Sequence, residues 1–307
     1  MNQHFIDPTL PRSVPHLLKY LSCAIDREVS SLNCLPRLVK TGAENRNYYV
    51  SAKVEGATRE FVLRCTPETI PQWRRDWGLY DLDREYQVLQ EMASLNIGLP
   101  TPRVYGFAND LGAQSFLMER LPGMPLDHKY DPSYQKVVAA YADSVAALSN
   151  IAVESGSWLR ANLPTRIMAD EIARNEERSD RFRTEPMRNY SLSWLREHRP
   201  PSRPLVMAHG DPNPSNFLMA DGQLTGVVDW EFACLTDDPL SGLLRINWLY
   251  EAPELRQLFC RAMERDESEL KWHVVHSLFH FTYMNCNQDR LQHEARIAEL
   301  VSYRNGW

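Results

Sequence analysis

The spacing of apolar residues changes near Gly123, and this change constrains the fold more than any other feature of the chain. Before Gly123, apolar residues stand in short runs bounded by turn residues, which is the pattern of β-strands. After it, they recur at helical spacing. The change predicts an α+β protein of two lobes, a sheet lobe over residues 1–120 and a mostly helical lobe over 121–307.

The first lobe is predicted to hold a five-stranded antiparallel sheet with one helix packed on it. Three strands come from "CLPRLVK", "NYYVSAKV" and "REFVLRC", which the turns "TGAEN" and "EGA" connect. Two more strands follow in "IGLPTPRVYGFAND" and "AQSFLMERLPG". Helical spacing predicts an N-terminal helix over residues 14–30 and the packed helix over 81–96.

The second lobe is predicted to be helical apart from one irregular insert, residues 203–239. The predicted helices cover 133–150, about 165–182, 189–198, 239–250, 252–264, 267–284 and 290–303. The insert contains three short strand-like pieces, which turns separate: Leu205–Ala208, Phe217–Met219 and Leu224–Val228.

Charge and cysteine content narrow the class of protein. A net charge of −6 without a run of Lys or Arg argues against a nucleic-acid-binding protein. No run reaches the roughly 20 apolar residues of a membrane span, and "MNQHFIDPTLPRS" lacks the pattern of a secretory signal. The six cysteines are scattered without a CxxC pair, which is typical of reduced thiols. We therefore expect a cytoplasmic monomer or homodimer.

The insert carries four polar side chains whose types suit phosphoryl transfer: His209, Asp211, Asn216 and Asp229. Prolines at 212 and 214 prevent a helix between Asp211 and Asn216, and Asp229 follows the apolar run "LTGVV" at the end of a strand. An Asn and an Asp together form a hard-oxygen site suited to Mg²⁺. A separate Asp on the loop can orient an attacking hydroxyl or accept its proton.

Each of these residues also has a structural interpretation. Asp and Asn are common in turns, so Asp211 and Asn216 taken singly could be turn formers. Together with Asp229, in this order, they favour catalysis. His209 is expected to brace the loop through buried hydrogen bonds rather than to act as a base.

The motifs "HGDPNPSN" and "VVDWE" resemble those of the aminoglycoside phosphotransferase and choline kinase group, which shares the protein-kinase-like fold. That group carries H-G-D-x-x-x-x-N and then a strand ending in D-W or D-F. The resemblance extends over most of the chain. "TGAENRNYYV" resembles the loop that covers the phosphates, "FVLRC" the third strand, "DREYQVLQEM" the helix that pairs with it, and "SFLMERLPGMPL" the segment that joins the lobes.

The resemblance implies a role for each matching residue. Asp211 is implied as the catalytic base, and Asn216 and Asp229 as ligands of Mg²⁺. Arg64 and Glu85 are implied as an ion pair that anchors the α- and β-phosphates of ATP. Further nucleotide contacts are implied at Gly42, Asn45, Asn47, Met118, Glu119 and Arg120.

Three positions depart from the family pattern. Arg64 stands where many kinases have a lysine, although an arginine can still clamp a phosphate with two hydrogen bonds. The phosphate loop has one glycine, Gly42, where protein kinases have three. Gly242 stands where relatives carry a carboxylate that helps to brace the catalytic loop, and Asp237 or Asp238 are the candidate substitutes.

The predicted function is phosphotransfer from ATP, with GTP left open, to a hydroxyl of a small molecule. An aminoglycoside or other antibiotic, an amino alcohol, a sugar and a hydroxy acid all remain open as acceptors. Candidate acceptor contacts are Trp230, Glu231, Trp248, Tyr250 and Glu251. The alternative is a catalytically inactive nucleotide-binding protein on the same fold.

A second group of titratable side chains lies outside these motifs. His273, His276 and His280 share one face of a predicted helix, which is a possible zinc site. No acidic or Cys partner lies nearby in the sequence, so a packed helix with an aromatic stripe is favoured.

Overall fold

A computed structural model divides the chain into two compact units, Met1–Pro122 and Gly123–Trp307. The described residues are 14–34, 36–39, 45–67, 69–70, 81–95, 98–109, 111, 114–126, 134–149, 151, 153–154, 156–238, 240, 253–283 and 290–302. No helix within these ranges combines the length and the apolar character that a membrane crossing requires.

The first unit is built on an antiparallel sheet that follows helix α1 (Val14–Ile25). Its strands are β1 (Val29–Leu32), β2 (Arg37–Leu38), β3 (Arg46–Val54), β4 (Ala57–Cys65), β5 (Val104–Ala108) and β6 (Ser115–Glu119). The order across the sheet is β1-β3-β4-β6-β5, and β2 pairs with β3. Helix α2 (Leu82–Leu95) connects β4 to β5 in sequence.

Alternation along β3 and β4 gives the sheet two different faces. One face buries apolar side chains such as Tyr48 and Leu63 together with Leu17 and Leu21 of α1. The opposite face carries Arg64 and is partly covered by α2, whose Tyr86 ring lies 5.9 Å from the ring of Phe116. The β3–β4 register therefore fixes which polar side chains share a face with Arg64.

The predicted first helix is too long, because α1 ends at Ile25 and Val29 already belongs to β1. Asp26 has a φ of 51°, in the left-handed region, and the N–H of Arg27 donates to the carbonyl oxygen of Ser22. This is a Schellman ending, and it turns the chain into a strand. The sheet consequently contains six strands within the described residues instead of the predicted five.

Helices make up most of the second unit. The described ones are α3 (Tyr134–Ser149), α4 (Trp158–Asn162), α5 (Met168–Arg178), α6 (Pro186–Glu197), α7 (Pro253–Ala262), α8 (Glu267–Tyr283) and α9 (Arg290–Ser302). Apolar side chains of α5, α6, α8 and α9 form one buried cluster. Its largest fully buried side chains are Trp272, Phe279 and Tyr283 of α8, so the predicted aromatic stripe is core.

Two small sheets interrupt the helices. The strands β7 (Met124–Pro125), β10 (Phe217–Ala220) and β11 (Gln223–Val227) form one sheet in the order β11-β10-β7. The strands β8 (Thr165–Arg166), β9 (Val206–Ala208) and β12 (Cys234–Thr236) form the other in the order β8-β12-β9. The residues 209–216 leave β9 and enter β10, so both ends of this segment are held by strands.

Several predicted boundaries in the second unit need correction. The helix predicted from about 165 begins at Met168, because Thr165 and Arg166 pair with β12. The helix predicted over 189–198 begins at Pro186, which suits the first turn since proline lacks the N–H that would be left unbonded there. The short α4 was not predicted. The helix predicted over 239–250 lies outside the described residues, apart from Leu240.

Candidate active site

In the first unit, a buried ion pair joins β4 to α2. The Nε of Arg64 donates to Oε2 of Glu85 at 2.8 Å, and Nη1 donates to Oδ1 of Asn47 at 3.4 Å. The side chains of Arg64 and Glu85 are only 6% and 2% exposed. A buried guanidinium needs a counter-charge and hydrogen-bond acceptors, and this pair supplies both. The structure thus brings together three of the residues predicted to bind the nucleotide.

The other predicted nucleotide residues of the first unit lie on or beside the sheet. Asn45 is buried just before β3, and Met118 is buried on β6. The backbone N–H of Glu119 donates to the carbonyl oxygen of Arg103 at 2.8 Å, so this N–H already has a hydrogen-bond partner within the sheet unit. Arg120 bonds Glu60 at 2.7 Å. Gly42 lies outside the described residues.

One row of side chains on the Arg64 face joins the predicted contact Met118 to Tyr49 and Val62, two residues that were not singled out from the sequence. Tyr49 lies opposite Val62, and Val62 opposite Met118, so the three side chains cross β3, β4 and β6 on the same face as Arg64. The guanidinium of Arg120 lies 4.4 Å from the centre of the Tyr49 ring. Strict alternation in "NYYV", where Tyr48 is buried in the core, is the sequence signal that would have placed Tyr49 here.

In the second unit, His209 closes the start of the loop between β9 and β10. Its Nε2 donates to the carbonyl oxygen of Val228 at 2.9 Å, and its Nδ1 accepts the N–H of Asp211 at 3.3 Å. Burial lowers the pKa of His209, although the bond to Val228, the charge of Asp229 and the bond from Asp211 oppose that effect. With both ring nitrogens bonded to backbone, a neutral His209 fits the bracing role predicted for it.

Gly210 is the one position of the loop that has no room for a side chain. Its φ is +79°, in the left-handed region. A Cβ added there would lie 2.0 Å from the carbonyl oxygen of Phe232. The backbone of the loop therefore passes in contact with the short 3₁₀ helix Trp230–Phe232, and only glycine permits this approach.

Asp211 and Asn216 contact each other across the loop. The Nδ2 of Asn216 donates to the carbonyl oxygen of Asp211 at 3.0 Å and to its Oδ2 at 3.1 Å. The chain between them turns through the 3₁₀ helix Pro214–Asn216, which the Asn213 side chain caps by accepting the N–H of Ser215 at 3.4 Å. Because the amide nitrogen of Asn216 bonds Asp211, the amide oxygen is directed elsewhere and suits a cation.

Asp229 lies close to Asn216 because the β10–β11 hairpin joins them. Phe217 is paired with Val227, and the N–H of Val228 donates to the carbonyl oxygen of Asn216 at 2.9 Å. Asp229 is the next residue and has φ 69° and ψ 60°, in the left-handed region. One carboxylate and one amide oxygen at adjacent positions fit Mg²⁺, which takes few protein oxygens and completes its shell with water and phosphate.

The predicted acceptor contacts are not brought together by the described structure. Trp230 is 1% exposed, and its Nε1 donates to the carbonyl oxygen of Val227 at 3.0 Å while its ring packs 4.6 Å from that of His209. We therefore correct its assignment: Trp230 supports the catalytic loop, since its buried ring has no surface for an acceptor. Glu231 is also buried. The remaining candidates lie outside the described residues: Trp248, Tyr250 and Glu251.

The two candidate substitutes for the missing carboxylate at position 242 bond other elements, and Gly242 itself lies outside the described residues. Asp237 Oδ1 accepts the N–H of Met168 at 3.0 Å, at the start of α5. Asp238 bonds the N–H of Leu240 at 2.9 Å and Nε2 of His273 at 3.2 Å. Burial would raise the pKa of Asp238, but His273 and these hydrogen bonds hold it below its ordinary value.

The histidines of α8 are packed side chains. His276 bonds the amide of Asn175 at 2.8 Å and stacks on Trp272 with ring centres 5.1 Å apart. Across the described ranges, no group of three or more His, Cys, Asp or Glu side chains is placed to hold a metal ion.

Comparison with known proteins gives one family and several similar structures. Residues 37–270 match the family described as "Phosphotransferase enzyme family". An aminoglycoside 3'-phosphotransferase of Enterococcus faecalis is 26% identical over 189 residues, which cover 58% of this chain and 67% of that protein.

Two solved structures extend the likeness to the fold. A thermostable mutant of aminoglycoside phosphotransferase APH(4)-Ia, in ternary complex with ADP and hygromycin B, has a TM-score of 0.63 at 17% identity and covers 95% of this chain and 99% of its own. The streptomycin-ATP-APH(2")-IIa ternary complex has a TM-score of 0.59 at 12% identity, with coverages of 94% and 96%. These structures confirm the predicted α+β, protein-kinase-like fold.

Proposed function

Because the chain belongs to the phosphotransferase enzyme family, we propose that it transfers the γ-phosphoryl group of ATP to a hydroxyl of a small molecule with the help of Mg²⁺. The observation that carries the proposal is the hydrogen-bonded pair of Asp211 and Asn216, with Asp229 adjacent to it across the β10–β11 hairpin. Phosphoryl transfer needs a positioned nucleophile and neutralised phosphate charge, and these three side chains supply both functions.

Each unit contributes its own part of the chemistry. In the second unit, Asp211 orients the acceptor hydroxyl and takes its proton, while Asn216 and Asp229 hold Mg²⁺. The metal, when bound, neutralises charge that builds up on the phosphate oxygens. In the first unit, Arg64 anchors the α- and β-phosphates, and Glu85 with Asn47 keeps its guanidinium in one orientation. Tyr49, Val62 and Met118 offer an apolar row for the base.

An aminoglycoside is the first acceptor class to test. Streptomycin and hygromycin B are bound in the two similar structures, and a curated relative is an aminoglycoside 3'-phosphotransferase. The net charge of −6 is compatible with a cationic acceptor. We further propose that the protein acts in the cytoplasm, where ATP and Mg²⁺ are available.

The test is a coupled assay of ADP formation with Mg·ATP as donor and streptomycin, hygromycin B or water as acceptor. We expect Mg²⁺-dependent turnover by the wild type and a loss of at least about a hundredfold in Asp211→Asn. The matched control is Asp221→Asn, the same change at the exposed turn between β10 and β11, which should keep the wild-type rate. Equal rates for Asp211→Asn and wild type would refute the proposal. No turnover with streptomycin or hygromycin B would refute these two acceptors, and no turnover across a broad library of hydroxyl compounds would refute phosphotransfer itself.

A further inference from the structure

The loop between β9 and β10 contains a buried carbonyl group, that of Pro212, whose hydrogen bond comes from outside the loop. Proline has no N–H, so residues 212 and 214 remove two of the donors that a turn of this length would normally offer. Pro212 is buried, and an unbonded buried carbonyl is costly. The loop therefore depends on a donor from elsewhere in the second unit.

Tyr141 of α3 supplies this donor. Its side chain is fully buried, and its hydroxyl donates to the carbonyl oxygen of Pro212, the residue directly after Asp211. Its ring meets Phe217 edge-on at 4.7 Å, directly after Asn216. The opposite support is Phe259 of α7, whose ring is stacked with a centre distance of 5.9 Å. One tyrosine thus contacts the loop at Pro212, directly after Asp211, and at Phe217, directly after Asn216.

We propose that Tyr141 is a positioning residue for phosphoryl transfer, which sets the orientation of the Asp211 carboxylate through the Pro212 carbonyl. The inference rests on the function proposed above. The bond from Tyr141 fixes the plane of the peptide that follows Pro212, while the edge-on contact fixes Phe217 and so limits movement of Asn216. Asp211 directly precedes the first of these contacts, and its Oδ2 accepts the amide N–H of Asn216, which directly precedes the second.

The electrostatics keep Tyr141 in the donating form. Burial raises the pKa of Tyr141 well above its ordinary value, and the nearby charge of Asp211 raises it further. The hydroxyl therefore stays protonated throughout the range in which the enzyme would work. Because the charge of Asp211 raises this pKa, the Tyr141 hydroxyl lies close enough to interact with the Asp211 carboxylate.

The experiment is a double-mutant cycle between Tyr141→Phe and Asp211→Asn, with Mg·ATP as donor and streptomycin, hygromycin B or water as acceptor. We expect Tyr141→Phe to lower kcat about tenfold, with the KM of Mg·ATP and its Kd changed less than about twofold. In the Asp211→Asn background the same change should alter kcat less than about twofold. The matched control is Tyr283→Phe, which removes a hydroxyl bonded to Glu294 from an equally buried tyrosine.

The outcomes separate the inference from the function on which it rests. If Asp211→Asn is inactive while Tyr141→Phe keeps the wild-type kcat, only the positioning role fails. A tenfold loss that persists in the Asp211→Asn background, an equal loss in Tyr283→Phe, or lost Mg·ATP binding in Tyr141→Phe would show a general structural effect and overturn the role. If Asp211→Asn is as active as wild type, the proposed function fails and the inference with it.

Discussion

Gly210 offers the sharpest test of how the catalytic loop is held, because two separate effects oppose a side chain there. Its φ of +79° costs a residue with a Cβ about 1–2 kcal/mol. The Cβ would also lie 2.0 Å from the carbonyl oxygen and 2.6 Å from the carbonyl carbon of Phe232. Ordinary contact would require the backbone to move, and overpacking of this kind costs about 1–3 kcal/mol. We therefore expect Gly210→Ala to lower the free energy of unfolding by about 2–5 kcal/mol.

Gly222 provides the matched control for the backbone effect alone. Its φ is +73°, but a Cβ added there would have nothing within 4 Å. Gly222→Ala should therefore cost only about 1–2 kcal/mol. The difference between the two variants isolates the collision with Phe232, which is the part of the argument that depends on the packing of the loop.

Equilibrium unfolding in urea, followed by circular dichroism and tryptophan fluorescence, gives both free energies. The same preparations should show that Gly210→Ala lowers kcat more than Gly222→Ala, since residues 209–211 must shift away from Phe232. Equal losses of stability in the two variants would refute the close approach of the loop to the 3₁₀ helix. An unchanged kcat in Gly210→Ala would refute the claim that this approach positions Asp211.

Three further substitutions test other parts of the site and the core. Glu85→Gln leaves the buried Arg64 without its counter-charge, so the KM of Mg·ATP should rise about tenfold in steady-state kinetics and the free energy of unfolding should fall by about 3 kcal/mol in urea. His209→Asn removes the hydrogen bond to Val228, so kcat should fall about tenfold. The pH dependence of kcat/KM between about pH 7 and 8 should not change, because burial lowers the pKa of His209 and the wild-type ring is already neutral in that range. Burial, and after it the charges of His280 and His273, lower the pKa of His276 to about 3. Replacing His276 should therefore make the free energy of unfolding less sensitive to acid, as measured by urea titrations at several pH values.

The direction in which pH changes the free energy of unfolding at His276 follows from proton binding. Between about pH 3 and 6.5 the unfolded chain binds a proton at this side chain that the folded protein does not. Stability is therefore complete above the ordinary pKa of about 6.5 and is lost as the pH falls toward about 3. The loss amounts to about 2 kcal/mol between about pH 7.5 and 5. His276→Gln should show a shallower acid dependence, and a curve parallel to that of the wild type contradicts the account.

The control for Glu85→Gln is Glu176→Gln. Glu176 pairs with Arg196 at the surface, where the two side chains are 49% and 46% exposed. Solvent screens such pairs, so this variant should lose less than about 0.5 kcal/mol and keep its KM. A similar loss in both variants would show that burial of the Arg64 pair does not matter.

The secondary structure was predictable where its period repeats over several turns or along a whole strand. The helices α3, α7, α8 and α9 begin and end close to the predicted positions, because apolar residues mark one face throughout their length. The two- and three-residue strands β8 and β12 are too short to show any period, and β12 was missed. The turn at Asp26 was missed because no Gly or Pro marks it. Its left-handed conformation belongs to the Schellman motif that ends α1.

The polar side chains of the loop were predictable from residue types, and its supports other than His209 were not. The side chains of Asp211, Asn216 and Asp229 are of types that suit phosphoryl transfer, and their order along the chain is distinctive. Tyr141 is an ordinary helix residue by sequence, and its bond to Pro212 spans 71 positions. Trp230 directly follows Asp229 in sequence, which suggested a pocket wall, whereas the 3₁₀ helix turns its ring into the core. Sequence indicates the reacting groups, and packing decides what holds them.

The most direct test of the central claim follows the phosphoryl group itself. ATP labelled at the γ-phosphate is incubated with Mg²⁺, the wild-type protein and streptomycin or hygromycin B, and the products are separated. We expect label in the acceptor in a one-to-one ratio with ADP, and we expect this transfer to be lost when Mg²⁺ is removed and when Asp211 is changed to Asn. Labelled ATP that binds but passes no phosphate to water, to these antibiotics or to any member of a broad library of hydroxyl compounds would contradict this expectation and indicate an inactive nucleotide-binding protein.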